Sequence, residues 1–364
     1  MKYDAVLLAS FGGPESPEDV MPFLERVTAG RGVPRERLEE VSQHYLAMGG
    51  VSPVNEQNRQ LLGAMRNELK ARSIEIPIYW GNRNSEPFYA RTLLDMHAAG
   101  HKNILTLVTS AYSSYSGCRQ YRENLAAALV EADLVGEMRI DKVRHYFDHP
   151  GFIRPFAKGL SEALSRFAAE GLSHGKVKIL FTTHSIPHSM ADSSGSAGSR
   201  EKYEGGMYIA QHVAVANLVI QEAASHFDGD MPAWQLVYQS RSGSPQTPWL
   251  EPDIGDAIRD VAGAGIKGII VVPIGFVSDH VEVVWDLDKE ARTIAESEGL
   301  HFTRVATPGV SREFVSGLVD LISERTDASE RKALSELGPW SDFCSSDCCP
   351  NPRMVLPVIA EIQV

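Results

Sequence analysis

The chain has 364 residues, 43% of them hydrophobic and 23% charged, which is too much for one small core and suits two α/β units or one large one. A formal net charge of −12 leaves no surplus of Lys and Arg to neutralise phosphates, which excludes a general nucleic-acid binder. Only four cysteines are present, which excludes a disulfide framework, and the longest apolar run, residues 268–277, is too short to span a bilayer. The opening residues lack the long apolar stretch of a signal peptide, so the expected compartment is the cytoplasm, where thiols stay reduced.

In chain order, short β-rich runs are predicted as strands at 4–10, 76–81, 103–110 and 138–147. After a predicted helix near 151–169, further strands are expected at 177–183, 234–240, 268–274 and 301–307. Helical stretches such as EPFYARTLLDMHAAG and PDIGDAIRDVAGAG separate them. Strand–helix alternation implies parallel sheets with helices on both faces. Four strands followed by four imply two similar Rossmann-like α/β domains, at 1–150 and 151–325, with a tail at 326–364 that packs back on the body. In such folds the ligand crevice lies beyond the carboxyl ends of the strands, so the loops after strands are where chemistry is expected.

After the first strand, SFGGP at 10–14 lacks the glycine spacing and the Lys-Ser/Thr of a phosphate loop. Ser16, followed by Pro17 and Asp19, is the expected cap of the first helix. After the third strand, YSSYSGCRQYREN at 112–124 offers hydroxyls, two arginines and Tyr121, a set suited to carboxylates on a planar ligand. After the fifth, FTTHSIPHS places His184 at the mouth of the crevice, where a neutral imidazole accepts a proton or binds a metal. His188 is the weaker candidate. The Ser/Gly-rich stretch at 190–206 is expected to be a mobile loop, either a lid or a surface insertion. After the sixth strand, QSRSGSPQTPWLEPD supplies the flat surface of Trp249.

After the seventh, GFVSDHVEVVWDLDKEA spaces Glu282, Asp286 and Glu290 at i, i+4 and i+8, on one face of the expected helix, with His280 at its start. Such a ladder is either a solvated face or a path for a divalent cation through oxygen ligands. Three of the four cysteines, Cys344, Cys348 and Cys349, fall in DFCSSDCCP, far from Cys118. In a reduced compartment this crowding points to a metal rather than to pairing; the bland reading is incidental tail residues.

Taken together, LLASFGGP, MGGVSPVNEQ at 48–57, THSIP at 183–187, QSRSGSPQTPWLEPD at 239–253 and PIGFVSDHVEVVWDLDKEA at 273–291 resemble the ferrochelatase family, in its order and across nearly the whole chain. The resemblance implies a chelatase fold with a porphyrin cleft between the domains, and insertion of Fe²⁺ as substrate. It implies that His184 and Glu282 are catalytic and meet the metal, that Asp286 and Glu290 form the acidic ladder, and that Ser52, Tyr121 and Trp249 line the cleft. Arg31 and Arg119 are the further anchors expected for substrate carboxylates. Where some bacterial members carry a metal-facing Tyr after strand one, this chain has Phe11, which has no ligating atom. The resemblance also implies a [2Fe–2S] cluster on Cys118, Cys344, Cys348 and Cys349, with a Cys₄ zinc site as the alternative. The expected porphyrin is coproporphyrin III, with protoporphyrin IX as the alternative. From another class, a non-catalytic iron–sulfur or haem-binding sensor on this scaffold stays open. The expected state is a monomer whose partner is the porphyrin.

Overall fold

The computed structural model describes residues 2–30, 32–227, 229–242 and 246–363. In the first half, β1 (Ala5–Ser10) is followed by α1 (Val20–Val27), α2 (Arg35–Leu46), α3 (Val54–Ala71), β2 (Ile78–Asn82), α4 (Tyr89–Ala98), β3 (Asn103–Val108), α5 (Gln120–Glu131) and β4 (Arg139–Lys142). The second half runs through α6 (Pro150–Ala169), β5 (Val177–His184), α7 (His188–Asp192), α8 (Ala197–Arg200), α9 (Gly206–Ala224), β6 (Trp234–Gln239), α10 (Ile254–Gly263) and β7 (Gly268–Val272). It ends with α11 (Val281–Val283), a π-helical segment (Val284–Ala291), α12 (Arg292–Ser297), β8 (His301–Arg304) and α13 (Arg312–Thr326), and the tail closes with α14 (Ile359–Ile362).

Both sheets are parallel and four-stranded, in the orders β2-β1-β3-β4 and β6-β5-β7-β8. The central strands are apolar on both faces because helices cover both: β1 (AVLLAS) and β7 (GIIVV) are buried throughout. One apolar core crosses both halves, joining Leu8, Leu105 and Leu107 to Phe181, Ile270 and Val272 through Phe152, Phe156 and Phe314. The late helix α13 returns to pack on α3 as well as α6. There Arg72 of α3 pairs with Asp320 at 2.6 Å and donates to the Ser316 carbonyl at 3.0 Å. By packing, α13 therefore belongs to both halves.

Two local expectations differ from the structure. The fourth strand stops at Lys142: Val143 N still donates to the Thr106 carbonyl of β3 at 2.9 Å, but beyond it Tyr146 and Phe147 are buried in the core outside the sheet. Their apolar pattern prolongs the strand in sequence only. Ser16 does not cap a backbone amide; its hydroxyl donates to Asp19 at 3.1 Å, and a short 3₁₀ turn, Pro17–Asp19, precedes α1. No helix among the described residues is long and apolar enough to cross a membrane.

Candidate active site and cysteine centre

The chemistry gathers at the carboxyl edge of the second sheet. β5 lies between β6 and β7, so the residues leaving these three strands are neighbours. His184 is the last residue of β5 and pairs in register with Gln239, the last of β6. Its Nδ1 lies 2.5 Å from the Ser185 carbonyl. A carbonyl only accepts, so Nδ1 carries the hydrogen and the Nε2 lone pair is left free. Nε2 faces the Glu282 carboxylate at 3.7 Å, and His280 Nδ1 stands 3.9 Å from the same oxygen. Both separations exceed a hydrogen bond, so a carboxylate stands between two imidazoles without being locked to either. Burial lowers the pKa of His280 and outweighs the opposing pull of Glu282.

β7 delivers Glu282 through a tight loop. Gly275 donates to the Thr182 carbonyl at 3.0 Å, and a Cβ there would fall 2.2 Å from Thr183 Oγ1. Only glycine lets this loop lie against the end of β5. Beyond Glu282 the helix widens into π turns over Val284–Ala291, a rare conformation enriched at functional sites. The acidic ladder is thus not the regular α-helical face expected from its spacing. Glu282 and Asp286 are half-buried, whereas Glu290 is exposed and accepts from Trp285 Nε1 at 2.6 Å. Asp286 accepts from Ser240 Oγ, and from Gln239 Nε2 at 3.3 Å. Ser240 holds a left-handed backbone, φ 61°, as strained residues at functional sites do. Burial pushes the Asp286 pKa up to about 7; the Ser240 hydrogen bond opposes this and repulsion from Glu282 and Glu290 adds to it.

The first half supplies the facing wall. Val281 is buried among Phe23, Leu24, Leu38 and Tyr45, so α1 and α2 sit over the start of the ladder. His44 stacks on Trp285 with centroids 4.4 Å apart, and Lys289 Nζ lies 4.0 Å from the same indole. At the edge of the first sheet, Phe11 is exposed and Arg83 lies over it at 5.5 Å. Ser52 is buried where a Cβ on Gly13 would strike it, so the glycines of SFGGP let the loop pack on the protein itself. Tyr121 is buried in the first-half core with the Arg83 guanidinium 3.9 Å above its ring. Trp249 is buried beneath the segment after His184, bridged to Pro187. Arg119 is not free for a substrate carboxylate: it is buried, pairs with Glu123 at 3.0 Å and donates to the Ser346 carbonyl at 2.6 Å. Arg31 lies outside the described residues.

Cys118 and Cys344, 226 residues apart in sequence, converge with Cys348 and Cys349 in one nest. Cys118 sits in a π turn ahead of α5, and Cys344 lies within hydrogen-bonding reach of both Cys118 and Cys348. The sulfurs of Cys348 and Cys349 are 3.8 Å apart. His145 joins Cys118 and Cys344, with ligand atoms mutually within 4.8 Å. Hydrogen bonding to Cys344 and then burial raise the Cys118 pKa, and Cys348 is held well above the usual thiol range. The crowded thiols of Cys118, Cys344 and Cys348 resist ionisation without a cation; a metal removes that penalty, so this donor set, with Cys349 beside it, fits a centre that needs four thiolates. The stretch at 190–206, expected to be mobile, instead closes this nest. Gly195 N donates to Cys349 Sγ at 3.2 Å, Cys349 N donates to the Gly195 carbonyl at 3.1 Å, and Ala197 N donates to Asp347 at 2.7 Å.

A family profile described as Ferrochelatase matches residues 3–326. The chain belongs to the ferrochelatase family. It is 52% identical over 362 residues to the Coproporphyrin III ferrochelatase of Leifsonia xyli subsp. xyli, covering 97% of this chain and 92% of that one. It is 50% identical to the Coproporphyrin III ferrochelatase of Streptomyces griseus over 96% of this chain and 93% of the relative. A protein named Ferrochelatase from Rhodopirellula baltica is 46% identical over 95% and 93%. Among solved structures, SirB from Bacillus subtilis with Fe3+ aligns with a TM-score of 0.49 at 11% identity, covering 90% of this chain and 96% of that one.

In this ferrochelatase-family chain, sequence reasoning missed Gln239, Ser240 and Arg83. The first two stood inside a quoted motif, but only sheet order brings them to Asp286. Arg83 follows β2 and donates to Gln120 at 3.2 Å and to the Ser116 carbonyl at 3.3 Å, while its buried Nε has no partner among the described residues. No spacing rule marks it.

Proposed function

We propose that this ferrochelatase inserts Fe²⁺ into coproporphyrin III, with His184 and Glu282 as the catalytic pair. The observation that carries the reading is the His184 imidazole with Nδ1 tied to a carbonyl and Nε2 turned to an unlocked carboxylate. Insertion must remove two pyrrole protons from the macrocycle. His184 Nε2 accepts a proton, and Glu282 either takes it on or holds the entering metal. A macrocycle held puckered exposes its nitrogen lone pairs, which lowers the barrier. Asp286 and Glu290 carry protons or Fe²⁺ between this pair and the surface, because they continue from the half-buried site to an exposed carboxylate. Ser52, Tyr121 and Trp249 shape the cleft, and Arg83, which lies over Phe11 while donating to Gln120 and to the Ser116 carbonyl, is a further cation beside them.

Support for coproporphyrin III comes from relatives of that name at half or more identity over nearly the full length. The nest of Cys118, Cys344, Cys348 and Cys349 would hold a [2Fe–2S] cluster. Such a cluster supplies a one-electron centre and a cross-link; the chain's own part is to bring the tail against α5 and α8 and exclude water. The test is an anaerobic absorbance assay with Fe²⁺ and either coproporphyrin III or protoporphyrin IX. Faster loss of the free coproporphyrin bands is expected. A preference for protoporphyrin IX would overturn the substrate, and binding of either without metal insertion would favour a sensor.

A further inference from the structure

His145 lies in the irregular segment between β4 and α6, which no part of the chelation site uses. It is 1% exposed, its ring nitrogens meet no nitrogen or oxygen partner among the described residues, and the Cys118 thiol lies within hydrogen-bonding reach. Burying an imidazole without an oxygen or nitrogen partner is costly, so its place beside sulfur implies that sulfur is the partner. Its ligand atom lies within 4.8 Å of both the Cys118 and the Cys344 sulfur. Its backbone is held by Arg144 Nη1, which donates to the His145 carbonyl at 3.1 Å and pairs with Glu324 at 2.7 Å through Nε.

Resting on the [2Fe–2S] reading above, we propose that His145 is a built-in donor to the cluster, giving a ring N–H to the sulfur of Cys118. Four thiolates already complete the ligand count of such a cluster, so the fifth donor is left for the layer around it. Hydrogen bonds to cluster sulfurs stabilise the more negative, reduced state and fix ligand orientation. His145 is thus a positioning residue of the centre, reaching the iron only through Cys118. Arg122 shares that layer: it donates to the Cys348 carbonyl at 3.5 Å, and the four cysteines all favour its charge.

The test uses the intact chain purified with its cluster, grown on ¹⁵N-histidine and on ordinary histidine, reduced and examined by pulsed EPR. A weak isotope-sensitive nitrogen coupling is expected, the size given by a hydrogen-bonded ring. Among the described residues no other imidazole is grouped with these sulfurs, so the unmutated chain carries the assignment. In His145→Gln and His145→Phe that signal should vanish. The midpoint potential should fall in the Phe variant and fall less in the Gln variant, whose amide still donates. Absence of the coupling, or an unchanged potential in both variants, would overturn the proposal. So would a strong coupling, which would make His145 an iron ligand. Zinc without iron and sulfide in the purified chain would overturn the cluster reading and this assignment together.

Discussion

His184 shows how one backbone contact sets a side chain's chemistry. Because Nδ1 is committed to the Ser185 carbonyl, the free lone pair faces Glu282. His184→Ala should slow insertion by about 10²–10⁴-fold, the usual worth of a positioned base, with porphyrin binding little changed. Stopped-flow absorbance checks this, and turnover like the parent would remove His184 from proton transfer. Asp286 carries the pH dependence. Its folded pKa, about 7, stands above the ordinary carboxyl value of 3.8, so between those values the folded state holds a proton that the unfolded state has lost. Its contribution to stability is therefore greatest below the lower value and declines as pH rises to about 7. If the carboxylate form passes the metal, insertion should rise through the same upper value, and Asp286→Asn should flatten the profile between about pH 6 and 8. A profile unchanged in that variant would take Asp286 out of the path.

At the scale of elements, the decisive piece is the loop and π-helical segment after β7. Arg304, at the end of β8, holds Asp279 at 3.1 Å and Asp288 at 2.7 Å, tying the loop before Glu282 to the helix after it. Removing that guanidinium leaves two shielded carboxylates uncompensated, so Arg304→Met should cost on the order of 3 kcal/mol and lower insertion more than porphyrin binding. Urea midpoints beside turnover measure both; an unchanged midpoint would mean the network is not under load. Gly275→Ala is the steric counterpart. The added Cβ would meet Thr183, so the end of β5 must shift, at about 1–3 kcal/mol, taking His184 with it. A crystal structure or thermal melt of this variant at parental values would refute that coupling.

On the scale of the whole molecule, the two halves are not merely adjacent. Tyr112, after β3, donates to the Ile274 carbonyl at 2.8 Å and stacks on His212 of α9 with centroids 3.7 Å apart. Burial lowers the His212 pKa to about 3, so that ring stays neutral and packs as an aromatic. Together with α13, these contacts hold both walls of the cleft in one core. The tail is attached through Arg119, Asn351 and the thiols, through Ser335 to Asp148, and through α14, whose Ile359 joins the first-half core. Cys349→Ser should abolish the visible absorption of the proposed cluster and open both the tail and residues 193–200 to proteolysis together, since Gly195 bonds to Cys349 twice. Cleavage confined to the tail would show that the two segments are independent.

The alternation of eight apolar runs with amphipathic stretches carried the fold class, because a strand buried on both faces needs an unbroken apolar run and a surface helix needs a stripe. The motifs likewise marked His184, Glu282 and the cysteines, whose chemistry is local to the side chain. What a side chain is free to do was decided only by tertiary packing. Arg119 looked like a cleft residue but is enclosed by the tail. Ser240 and Gln239 looked like loop filler but fall beside Asp286, because β6 neighbours β5 and β5 neighbours β7. His145 carried no signal at all until folding placed it between Cys118 and a thiol from the far end of the chain. Periodicity records which face of an element is dry. It does not record which distant element covers that face, and burial by that element is what sets a partner, a pKa or a vacancy for a ligand.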